Sequence, residues 1–141
     1  MDSKREHITT GIARLLVALV FVINVSCALF FVFDPASYAP AYELAGVSGQ
    51  VAVQGIGVAF LMWNATYPPV IVSPRKHRAL FGVVLAQQII GLIGETWILL
   101  SIPVGHELLC ASILRFIVFD AAGLVALVIA LLITRRKARS R

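Results

Sequence analysis

Three charged residues stand where charge is expensive. Glu95 lies inside GLIGETWILL, and Arg115 and Asp120 lie inside ASILRFIVFDAAG, both among the most apolar stretches of the chain. An ionised side chain in hydrocarbon costs several kcal/mol, so such residues pair with one another, line a wet cavity, or carry protons or substrates. Asn24, Gln54, Asn64, Gln87 and Gln88 add neutral hydrogen-bonding groups to other apolar stretches, and Arg14 adds a cation near the start of the first. Together they are expected to form a polar cluster that orients a ligand head, relays a proton, or fixes helix packing.

The elements that must position these groups follow from composition. Of the 141 residues, 60% are hydrophobic and 13% charged, and the mean hydropathy is +0.92. Soluble domains carry about a quarter charged residues, so the solvent implied here is a bilayer. Four apolar stretches, roughly residues 10–33, 49–72, 79–102 and 108–134, are each long enough for a helix across about 30 Å of hydrocarbon. The expectation is a single all-α transmembrane domain over residues 1–141, an up-down four-helix bundle with short connections. Arg14 in the first span and its length set it apart from a cleaved leader, so it is read as retained.

The net charge of +5 is not a nucleic-acid signature, because the cations have positions. Lys4 and Arg5 precede span one, Arg75, Lys76 and Arg78 lie between spans two and three, and TRRKARSR follows span four. The other two connections carry Asp34, Glu43 and Glu107 with no Lys or Arg. This is the positive-inside pattern, which places both termini in the cytoplasm of an inner (plasma) membrane.

Helical periodicity then sorts the faces. In span four Leu114, Ile117, Val118, Ala121, Leu124, Val125, Val128 and Leu132 form an apolar side for lipid, while Ser112, Arg115, Phe119, Asp120, Gly123, Ala126 and Ala130 turn inward. Spans one to three each carry a similar stripe: Thr10, Arg14, Val17, Phe21, Asn24 and Ala28; Gln54, Gly57, Leu61 and Asn64; Val84, Gln87, Gln88, Gly91 and Glu95. Beside the second stripe, Ser48, Ala52, Gly55 and Ala59 offer small residues for close helix approach. Glu95 and Arg115 each lie about seven residues, roughly 10 Å, below the outer ends of adjacent spans, so an ion pair between them is expected. Asp120 lies near mid-depth, about 140° around its helix from Arg115, with Gln88 and Asn64 as nearest candidates and Arg14 as a long-range one.

Two prolines in NATYPPVIV, Pro68 and Pro69, predict a kink or stop near Tyr67. Pro35 and Pro40 are expected to break helix in the first loop, with AYELAG as one short turn on the outer surface. Cys27 and Cys110 read as apolar fillers. His106 and Glu107 are adjacent but lack a third metal ligand, and His77 sits in a basic turn. No Walker loop, GxGxxG, HExxH or nucleophile elbow is present, so no catalytic residue and no metal site is assigned.

The stretch ARLLVALVFVINVSCALFFVFDP, with Arg14, Leu15, Phe21 and Pro35, resembles the start of the DoxX-like small four-helix membrane proteins, in which a span opens with Arg-Leu and ends before a proline. Ala18 stands where that pattern has glycine. The resemblance implies a four-span plan with both ends inside, and named members are membrane subunits linked to quinone-dependent sulfur oxidation.

Three functions fit these readings. The first is an accessory or structural subunit of a larger membrane assembly, with protein partners or copies of itself. The second is a binder of a lipophilic small molecule, a quinone or lipid, in the polar interior. The third is an oligomeric channel or proton-coupled transporter with Asp120 as the titrating group.

Overall fold

The computed structural model describes residues 2–135. Its elements are α1 (Asp2–Phe33), α2 (Pro35–Tyr38), a 3₁₀ turn (Ala39–Tyr42), α3 (Gly46–Asn64), α4 (Tyr67–Val72), α5 (Arg78–Ser101) and α6 (Glu107–Arg135). Among the described residues there is no strand. Four helical segments, His7–Phe33, Gly46–Val72, Arg78–Ser101 and Glu107–Arg135, are long and apolar enough to cross a membrane. They match the four stretches anticipated from hydropathy. Of the basic tail, residues 136–141 lie outside the described residues.

The second span breaks where its prolines require. Pro68 and Pro69 lack the N–H groups that would bond the carbonyls of Asn64 and Ala65. Helix α3 accordingly ends at Asn64, and α4 starts at Tyr67 with prolines in its first turn. The hydroxyl of Thr66 spans the break, within hydrogen-bonding distance of Trp63 O at 3.0 Å and Gln87 Oε1 at 2.9 Å. The Thr66 side chain thus lies between the preceding turn and α5 at the break.

In the first loop the long helix α1 ends at Phe33, just before Pro35, as anticipated, and Pro35 and Pro40 each then sit in the first turn of a short helical element, where a missing N–H costs nothing. Residues 35–42 therefore fold as one compact pair of turns, and the anticipated AYELAG turn ends at Tyr42. Glu43 adopts a left-handed conformation, φ 56°, and closes the segment with Glu43 N–H to Pro40 O at 2.9 Å and Leu44 N–H to Ala39 O at 3.0 Å.

Packing runs in an arc. Helix α1 lies against both α3 and α6, α6 against α5, and α4 touches α1 and α5, whereas α3 and α5 barely meet. Helices α1 and α3 approach closely. A Cβ on Gly57 would stand 2.8 Å from Ala28 O and 2.9 Å from Phe31 Cβ, so only glycine lets the backbones come this near. Gly49, Val53 and Gly57 are buried on one face of α3, with Val53 packed in a cluster with Phe31 and Gly49 against Leu44. Ser48, Ala52, Gly55 and Ala59, read from sequence as the small-residue interface, are exposed; the true stripe lies about a quarter-turn away on the same helix.

The interior divides into two apolar clusters. One gathers Ala13, Val17 and Val20 with Tyr67, Val70, Phe81, Val84, Leu127 and Ala130. The other gathers Phe31, Ala39 and Val53, with Tyr38, Tyr42 and Phe116 against it. On α6, Leu114, Val118, Val125, Val128 and Leu132 are exposed, while Ser112, Gly123 and Ala130 are buried, as the periodicity of that span requires.

Candidate functional site

Between the two clusters lies a half-open cavity. This cavity of about 350 Å³ is bounded by α1, α3, α5 and α6 and by the short turns of the first loop. Six of the nine polar residues singled out from sequence line it: Asn24, Asn64, Gln88, Glu95, Arg115 and Asp120. The remaining three do not, and Gln87 instead meets the Thr66 hydroxyl. Gln54 donates to Val32 O at 3.1 Å and ties α3 to the end of α1. Arg14 donates through Nε to Ile71 O at 2.9 Å, supporting α4 rather than Asp120.

The floor of the cavity is polar. Gln88 is 3% exposed, and its Nε2 donates to Asp120 Oδ1 at 2.9 Å and to Asp120 O at 3.2 Å. Its Oε1 accepts from the Tyr67 hydroxyl at 3.3 Å, and Asn24 stands beside the same hydroxyl. One amide therefore uses both ends, binding α5 to α6 and to α4. Gly91 makes room for this arrangement, since a Cβ there would meet Asp120 Oδ2 at 2.7 Å. Asn64 is 4% exposed and donates to Phe60 O at 2.8 Å, but its Oδ1 is buried with no partner.

The ion pair expected between Glu95 and Arg115 is not formed. Arg115 curls back along its own helix, donating to Ala111 O at 3.3 Å and Ser112 Oγ at 3.4 Å. Glu95 Oε2 is buried without a hydrogen-bond partner. Both residues line the same cavity without bonding one another. Asp120 and Glu95 lie close enough for their charges to interact. Arg115 and Asp120, taken from sequence to point apart, face different parts of one cavity wide enough to span that angle.

The walls and roof are aromatic. Phe31, fully buried at the end of α1, stacks against Phe60 at 6.2 Å and meets Phe116 at 6.1 Å, Tyr38 at 5.1 Å and Tyr42 at 6.0 Å between ring centroids. Trp63 and Phe119 complete the lining, and Trp63 reaches across from α3 to within 3.5 Å of the position a Gly91 Cβ would hold. Tyr38 and Tyr42 come from the compact first loop, so residues 35–42 form a lid.

The lid is latched. His106 Nδ1 donates to Glu43 Oε2, linking the end of the lid to the connection between α5 and α6. The bond to His106 holds the Glu43 carboxyl below its ordinary range, and the Leu109 backbone N–H acts in the same sense. A carboxylate there also faces the positive N-terminal end of α6. In return the Glu43 carboxylate raises His106. His106 was weighed from sequence as half of a metal pair with Glu107; its partner is instead Glu43, sixty-three residues away. Among the described residues no group of three metal-ligating side chains occurs, and Cys27 and Cys110 are free.

No protein-family model, curated protein or solved structure matches the chain.

Proposed function

We propose that this protein is an integral inner-membrane protein that holds a lipophilic small molecule with a polar head in the cavity between its helices. The observation that carries the reading is the cavity itself. Its volume falls in the range of small-molecule sites, and its apolar walls with a few convergent polar groups have the composition of such sites. A through-pore is disfavoured by the apolar cluster of Val17, Val70, Phe81, Val84 and Leu127, which packs below the floor. The charge asymmetry of the loops supports an up-down bundle with both termini cytoplasmic and the lid outside. The likeness of residues 13–35 to DoxX-like proteins agrees with that plan.

A quinone, the cofactor class anticipated for such an interior, fits the walls but not the floor. Its carbonyl oxygens need donors, whereas the orphaned atoms at the cavity, Asn64 Oδ1 and Glu95 Oε2, are acceptors.

Native mass spectrometry of protein extracted in mild detergent from its own membrane tests the proposal. A bound species of a few hundred daltons is expected. A bare chain, or one carrying only a larger protein partner, would favour the accessory-subunit alternative.

A further inference from the structure

Two buried acceptors in the cavity lining have no donor. Asn64 is 96% withdrawn from solvent, being 4% exposed, and its Oδ1 has no partner. Glu95 Oε2 is in the same position. Asp120 receives Gln88 on Oδ1, while Oδ2 is turned toward Gly91. The one cation in the lining, Arg115, is exposed and engaged with Ala111 O and Ser112 Oγ on its own helix. With both carboxyls ionised, the lining carries two negative charges against one positive, and neither carboxylate is paired with the arginine. An unpaired buried acceptor costs about 1–3 kcal/mol, and a buried carboxylate more.

One headgroup chemistry relieves all of this. A protonated amine brings up to three N–H donors and one positive charge, and aromatic faces attract such a cation. The neighbouring rings of Phe60, Trp63 and Phe119 provide those faces. Resting on the reading of the cavity as a ligand site, we infer that its occupant is a lipophilic amine. Its ammonium group donates to Glu95 and Asn64 beside Asp120, and its hydrocarbon body lies among the aromatic walls. An alcohol offers a donor but no charge, a quaternary ammonium offers charge but no donor, and an anionic amphiphile offers neither where they are needed.

The test uses the full chain in nanodiscs of neutral lipid. The chain has two tryptophans, so Trp97→Phe leaves Trp63, in the cavity wall, as the fluorescent reporter. Four probes sharing one twelve-carbon chain are titrated at neutral pH: dodecylamine, dodecanol, dodecyltrimethylammonium and dodecyl sulfate. Dodecylamine should shift Trp63 emission saturably and bind at least about tenfold more tightly than each of the others, a difference of about 1.4 kcal/mol. Glu95→Gln should remove most of that preference while leaving dodecanol within about twofold. Binding of dodecanol or dodecyl sulfate as tight as that of the amine would overturn the amine and leave the ligand site standing. An equally tight trimethylammonium would overturn the donor argument. Failure of every probe to move Trp63 would overturn the ligand site as well.

Discussion

Glu95, Gln88 and Asp120 behave differently although all three are polar residues in apolar helices. Gln88 has both amide ends satisfied, so replacing it with leucine strands Asp120 Oδ1 and removes one of the partners of the Tyr67 hydroxyl. Gln88→Leu should therefore cost about 1–3 kcal/mol, read as lowered thermal stability in nanodiscs. Glu95 and Arg115 are unpaired, so a double-mutant cycle of Glu95→Gln and Arg115→Met should give a coupling energy below about 0.5 kcal/mol. A coupling of several kcal/mol would mean that the two side chains meet after all. At this scale the sequence was informative about which residues face inward, because a 3.6-residue period places polar groups on one stripe. It was silent on which of them touch. Periodicity and depth fix a helix face and a level, but whether two side chains at one level meet or flank a hollow depends on the spacing of helices that no local pattern encodes.

The first loop shows the same limit in an element. Proline at a first helical turn and proline at a helix end look alike in a sequence, and residues 35–42 fall on the helical side. The lid they form is held by the Glu43–His106 latch, whose pH dependence has a definite sign. Glu43 is lowered from 4.5, so its contribution is complete above 4.5 and is lost as pH falls through the depressed value. His106 is raised from 6.5, so its contribution is complete below 6.5 and is lost as pH rises through the elevated value. Amide hydrogen exchange, corrected for its intrinsic pH dependence, should therefore show the lid best protected between these two reference values. Protection should weaken on either side, and His106→Ala should remove the alkaline part of the change. A pH-independent lid would show that the latch contributes nothing in the membrane-bound protein. The break at Ala65–Thr66, by contrast, was legible, because two adjacent missing donors leave a helix no alternative.

At the scale of the molecule, the four spans were plain from hydropathy, whereas the cavity was not. A hollow arises because α3 and α5 barely meet while α1 and α6 pack closely against their neighbours, and this is a property of the arc rather than of any one helix. The central claim is that this hollow holds a ligand. Gly91 and Gly94 on α5 allow a matched comparison: Gly91 lines the cavity, while a Cβ on Gly94 meets nothing within 4 Å. The decisive measurement is native mass spectrometry of wild type, Gly91→Leu and Gly94→Leu, each extracted in mild detergent from the native membrane. The bound species should persist in wild type and Gly94→Leu and be lost from folded Gly91→Leu. Retention of the same mass by all three, or its absence from wild type, would contradict a ligand site in the cavity.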